Sequence, residues 1–116
     1  MNSSLLSKGQ GKRRARRLPK YLLSDAAGSD VRGIFQYTNT RRNREQALRY
    51  GAGLRDCFRM LAHNPGIGRA CDWVSPGLRR FEHEKRVVFY RVVIEGIRVS
   101  RVLHQRMLPV KSRFEA

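Results

Sequence analysis

The stretch from Arg86 to Met107, RVVFYRVVIEGIRVSRVLHQRM, limits the possible folds of this chain more than any other segment. Val87 to Ile94 is almost wholly apolar, interrupted only at Arg91, and Ile97 to Leu103 alternates apolar with polar or basic residues. Glu95-Gly96 stands between them. An acidic residue followed by glycine, set between two β-type runs, signals a hairpin, because glycine takes the positive φ of such a turn without steric cost. A two-residue loop at Glu95-Gly96 pairs Ile94 with Ile97, Val92 with Val99, Tyr90 with Arg101 and Val88 with Leu103. That face is apolar except at Arg101 and reads as the core side. The opposite face carries Val87, Phe89, Arg91, Val93, Arg98, Ser100, Val102 and His104, a mixed surface suited to a partner.

Upstream, Lys20 to Ser24 reads as a short strand. Ser24 or Asp25 caps a first helix, with Asp25 and Asp30 suited to its positive N-terminal end. Ala27, Val31, Ile34, Phe35 and Thr38 recur at helical spacing. Asn39 to Asn43 is a polar break, and Asn43 caps a second helix with Gln46 three residues on. The stripe of that helix is Ala47, Tyr50, Leu54, Cys57, Phe58 and Leu61, and Asn64-Pro65-Gly66 ends it. Residues 66–77 read as a loop, with Trp73 as a packing anchor, and Leu78 to His83 as a strand turning at Glu84-Lys85. The order is β-α-α-β-β-β, an α+β fold with a helical hairpin packed on one face of a small, largely antiparallel sheet.

Length and charge set further bounds. The 116 residues suit one domain, 19–107, between a basic, disordered extension at 1–18 and a basic tail at 108–116. The net charge of +16 calls for an acidic partner, either nucleic acid or a protein with an acidic segment. Residues 1–18 hold Lys8, Lys12, Arg13, Arg14, Arg16 and Arg17 and no acid, which fits a nucleic-acid-binding arm or a non-functional extension. No apolar run is long enough to span a bilayer and no secretory signal opens the chain, so a cytoplasmic protein is expected. Cys57 and Cys71 lack metal spacing and are expected as reduced thiols, and the widely spaced His63, His83 and His104 form no metal site. No cofactor is implied. Arg41, Arg42 and Arg44 form a basic corner between the helices, expected to face water.

Several short motifs, taken in order, carry a resemblance. They are Tyr21-Leu22-Leu23-Ser24 with Ala27; Val31, Ile34, Tyr37 and Thr38; Leu61 to Arg69 (LAHNPGIGR); Pro76-Gly77-Leu78-Arg79; Phe89-Tyr90-Arg91-Val92; and Arg101 to Met107 (RVLHQRM). Over residues 20–107 the chain resembles the ParE branch of the RelE/ParE toxin superfamily. It departs from that pattern at Arg86, where a histidine is common, and at Leu108-Pro109, where an acidic residue is common.

The resemblance implies the toxin of a type II toxin–antitoxin pair, a non-catalytic inhibitor of DNA gyrase neutralised by an acidic-tailed, ParD-like antitoxin. It also implies that the C-terminal part acts on gyrase, so Arg101, His104 and Arg106 are the residues expected to engage the target, through acidic protein groups or DNA phosphate. Phe89, Arg91, Arg98 and Ser100, on the mixed face, are expected to receive the antitoxin. The superfamily's other branch cleaves mRNA on ribosomes. That reaction needs an acid, a base and cations at the phosphate, for which His83, Arg86, His104 and Arg106, with Glu82 and Lys85, are the candidates. A basic nucleic-acid-binding module is a further alternative.

Overall fold

The computed structural model describes residues 18–107. The expectations for 1–17 and 108–116 lie outside the described residues. The elements are β1 (Lys20–Leu23), α1 (Asp25–Arg41), α2 (Arg44–His63), a 3-10 turn (Pro65–Ile67), β2 (Arg69–Ala70), β3 (Arg79–His83), β4 (Arg86–Val93) and β5 (Gly96–His104). The strands form one sheet in the order β1-β5-β4-β3-β2. β1 runs parallel to β5, and the other pairings are antiparallel. Among the described residues no helix is long and apolar enough to cross a membrane.

The helices form for the reasons their sequences give. The Ser24 hydroxyl accepts from the Ala27 amide at 3.0 Å and the Asn43 side-chain oxygen, Oδ1, from the Gln46 amide at 2.8 Å, so each helix begins with an amide satisfied by its cap. α2 buries Ala47, Leu54, Cys57, Phe58, Leu61 and Ala62, nearly the stripe expected. Leu54, Cys57, Phe58, Leu61 and Ala62 pack with Ala27 and Ile34 of α1 and with Val88, Tyr90, Ile97, Val99 and Val102 of the sheet.

The β4–β5 hairpin corrects the expected register. The turn is Ile94-Glu95, and Val93 pairs with Gly96, Val92 with Ile97 and Tyr90 with Val99. Gly96 does have a positive φ, of 146°, but as the first residue of β5. A Cβ there would run into the carbonyl oxygen of Lys20, so this glycine is needed to bring β1 against the sheet. A bulge at Phe89/Tyr90 shifts the pairing again: Phe89 faces Arg101, Val88 faces Val102 and Arg86 faces His104. Ser100 is the extra residue, and its carbonyl accepts the Ser24 hydroxyl at 2.8 Å. The slip leaves Val92 half-exposed and Ile94 fully exposed, where both were expected on the core face.

The second sheet face is also buried, which the alternation of β5 does not reveal. Val87, Phe89 and Leu103 pack with Cys71, Val74 and Leu78 from the segment between β2 and β3. That segment is a compact turn. Cys71 donates to the Leu78 carbonyl at 2.7 Å, and Asp72 accepts from the Gly77 amide at 2.8 Å. Trp73 does not anchor it, since its side chain is 72% exposed while the smaller Val74 takes the buried position.

Two links fix the layers. Asp30 lies one turn too deep in α1 to serve the helix terminus. Its carboxylate instead accepts the Arg101 guanidinium twice at 2.8 Å and the Val102 amide at 2.9 Å, tying α1 to β5. The Tyr90 hydroxyl donates to the Pro65 carbonyl at 2.6 Å and accepts from the Gly68 amide at 3.0 Å. Arg79 holds the carbonyls of Gly66 and Gly68. A Cβ on Gly68 would sit 2.5 Å from the Tyr90 oxygen, so the chain can pass the sheet there only as glycine. The Asn-Pro-Gly-Ile-Gly-Arg and Pro-Gly-Leu-Arg motifs are thus the two halves of one clamp.

Candidate functional site

One end of the sheet gathers the residues expected for chemistry. His83 pairs with Arg86, and Arg86 with His104, so the three stand in one row across β3, β4 and β5. The expected register had put Val87 opposite His104; the bulge brings Arg86 there instead. His83 is largely covered. Its ring is tilted against Tyr50 at 5.8 Å, and its Nε2 is buried without a hydrogen bond, 3.7 Å from the Glu84 carboxylate. Burial pushes the Tyr50 phenol up from its ordinary pKa, with Arg86 opposing and Glu84 assisting, so Tyr50 is a neutral donor at physiological pH.

His104 is half-buried, and its Nδ1 lies 3.1 Å from the Arg106 amide. That amide can only donate, so Nδ1 is unprotonated and the ring's proton sits on Nε2. In this state His104 presents a donor rather than a base. Of the nearby carboxylates, Glu82 binds Arg80 at 3.1 Å and lies 3.8 Å from Arg69. Among the described residues no group of three or more His, Cys, Asp or Glu could hold a metal. The row can bind an anion through Arg86, the His104 Nε2–H and the exposed Arg106 beyond it.

The three residues expected to engage a target therefore stand in different states. His104 and Arg106 are at the open end of the sheet. Arg101 has its guanidinium bonded to Asp30, which raises its pKa further and holds the charge inside the fold.

The four residues expected on the antitoxin face divide similarly. Phe89 is only 2% exposed beneath the 71–78 turn, and Ser100 is buried. Arg91 bonds the hydroxyls of Ser75 and Ser100. Arg98 alone of the four is exposed. The physical reason is the covering turn: Val74 sits among polar residues and glycines with no strand or helix period, and Leu78 reads only as the start of a strand, so neither signals that the turn folds over the sheet.

That reading also missed an apolar groove of about 290 Å3 on the helical hairpin. Val31, Ile34 and Phe35 of α1 and Ala47 and Leu54 of α2 line it, and Arg32 and Arg55 border it. The signal was present. Val31 and Phe35 belong to the apolar stripe of α1, yet both remain partly exposed after the helices pack.

Comparison with known proteins gives a consistent picture. A family model described as "ParE toxin of type II toxin-antitoxin system, parDE" matches residues 21–109. "Toxin ParE1" of Mycobacterium tuberculosis is 45% identical over 89 residues, covering 76% of this chain and 91% of that protein. "Toxin ParE1" of Caulobacter vibrioides is 40% identical over 89 residues, covering 75% and 90%. A chain of the solved "Chromosomal ParDE TA system from P. aeruginosa" superposes with a TM-score of 0.64 over 75% of this chain and 96% of that one. At 21% identity, that last likeness concerns the fold.

Proposed function

The chain belongs to the ParE toxins of type II toxin–antitoxin systems, and we propose that it arrests growth by inhibiting DNA gyrase and is held inactive by a cognate antitoxin. The observation that carries this reading is the open end of β5. Arg86, His104 and Arg106 offer an anion-binding edge where the chain leaves the sheet, while neither His83 nor His104 presents an open general base. The His83 Nε2 is enclosed and the His104 Nδ1 is occupied. An inhibitor that stabilises a complex of gyrase with DNA breaks no bond itself and needs no general base. His104 and Arg106 are the residues proposed to touch the target. Arg101 contributes by fixing α1 to the strand that presents them.

The antitoxin is proposed to lay apolar side chains into the groove of the helical hairpin and acidic ones against Arg32 and Arg55, with Arg98 as an additional cation. A basic toxin favours an acidic, initially unstructured partner by steering its approach.

The test is a supercoiling assay with purified gyrase beside an mRNA-cleavage assay on translating ribosomes. Arg106→Glu, and truncation after Leu103, are expected to abolish gyrase inhibition while antitoxin binding persists. Intact gyrase activity together with His104-dependent cleavage of mRNA would overturn this reading in favour of a ribosome-dependent endonuclease.

A further inference from the structure

The link between α1 and α2 meets the β3–β4 turn at one corner of the molecule, and a cleft of about 460 Å3 lies between them. Its walls have local causes. Arg42 leaves helical geometry at φ −121°, ψ −93°, and Asn43 at once caps α2, so the two helices are joined by only two residues. On the sheet side Glu84 takes a φ of +55° in the β3–β4 turn, which brings Lys85 and Arg86 to the rim.

Arg42, Arg49, Lys85 and Arg86 line the cleft against a single carboxylate, Glu84. Arg49 is paired with Glu45 at 3.1 Å on the open surface, where such a pair is weak. Among the described residues, Arg42, Lys85 and Arg86 form no ion pair. An exposed aromatic ring is also part of the cleft lining. Tyr37 is 56% exposed, and the Arg41 guanidinium lies 5.3 Å from its ring centre. Guanidinium and ammonium groups recognise phosphate, and an exposed ring offers a stacking face that suits any base. A polycarboxylate would use the cations and gain nothing from the ring. A duplex keeps its base faces stacked inside and cannot present one to Tyr37.

We propose that this cleft holds a short stretch of single-stranded nucleic acid, with its phosphates on Arg42, Lys85 and Arg86 and one base stacked on Tyr37. Arg86 also faces His104 across the sheet, so a strand leaving the cleft is led along the same edge that ends in Arg106. This binding goes beyond the gyrase reading and is measured without gyrase, so the two stand or fall separately.

The experiment is fluorescence anisotropy of the full-length protein with a labelled oligodeoxythymidine of about ten nucleotides, within the length range of single-strand sites. Arg42→Gln with Lys85→Gln should weaken binding at least tenfold and reduce the slope of log affinity against log salt by about 1.4, from about 0.7 per phosphate contact. Tyr37→Ala should weaken binding roughly tenfold and leave the slope unchanged. Arg59→Gln with Arg69→Gln removes the same charge from exposed sites outside the cleft and should have little effect; an equal loss there would mean that net charge alone binds the strand. The proposal is also overturned if Tyr37→Ala has no effect, if a duplex of the same length binds as tightly, or if a polyglutamate peptide displaces the oligonucleotide at equal charge concentration.

Discussion

At the residue scale, burial and charge pairing reassign side chains whose types alone were ambiguous. Phe89 has the composition of an anchor for a partner, but the 71–78 turn has already covered it. Phe89→Ala should therefore cost about 3–5 kcal/mol of folding stability, read as a lower urea midpoint with an unchanged slope. A cost under about 1 kcal/mol, as for a surface residue, would return Phe89 to the interface. Cys57 is a second case. Burial pushes its thiol up to about 11, and a raised thiol pKa means the folded state binds a proton that the unfolded state releases. Its contribution to stability is thus complete below the ordinary thiol value of 9.0 and is lost as pH rises through about 11. Near pH 8 the thiolate is rare, and alkylation by iodoacetamide should be slow in the folded protein and fast in denaturant. Equal rates would show the thiol to be open. The Asp30–Arg101 pair joins residues 71 apart, and no local pattern connects an acid inside a helix with a basic residue in the last strand.

At the element scale, the helices were legible and the hairpin register was not. The stripe of α2, from Ala47 to Ala62, repeats over about four turns, so one misjudged residue does not displace the face. In the hairpin, turns at Glu95-Gly96 and Ile94-Glu95 differ by one residue, and the acid–glycine pair favours the wrong one. Gly96 answers a different need, the approach of β1, which local turn rules do not see. Gly96→Ala should cost about 2–4 kcal/mol, combining an unfavourable φ with a displaced neighbour. Hydrogen exchange should locate the damage: the amides of Tyr21–Leu23 should lose protection before those of Val88–Tyr90. Uniform loss across the sheet would contradict this account of the glycine. The bulge was equally hidden, since the extra residue, Ser100, has a β-compatible sequence on both sides.

At the scale of the whole molecule, one sheet separates two cores. The helices cover one face and the 71–78 turn covers part of the other. Antiparallel sheets often leave one face to water, and that expectation made the second face look like a partner surface. The contrary signal lay in the sequence. Val87, Val88, Phe89 and Tyr90 are consecutive and apolar, as a strand buried on both sides should be, whereas β5 alternates and dominated the reading. The candidate edge was partly legible for the same reason. His83, Arg86 and His104 were all singled out as residues, but their alignment in one row depends on a bulge that composition does not encode. The basic corner at Arg41, Arg42 and Arg44 is exposed as expected, while the cleft beside it exists only because two distant turns meet.

The strand order has a consequence for how the chain is made. Among the described residues β5 is the last strand in sequence yet second in the sheet, bonded to β1 on one side and β4 on the other. Neither the parallel pair nor the hairpin can close until residues 96–104 have left the ribosome. At about 5–20 residues per second, the roughly 40 residues from the end of α2 to the end of β5 take about 2–8 s, during which the α2 stripe has no completed sheet to rest on. The sheet is therefore incomplete through most of translation and closes only when β5 emerges. Ribosome-stalled chains lacking β5 should be cut readily by protease within α2, while chains stalled with residues 96–104 exposed should resist. Early resistance would show that the helical hairpin is stable by itself.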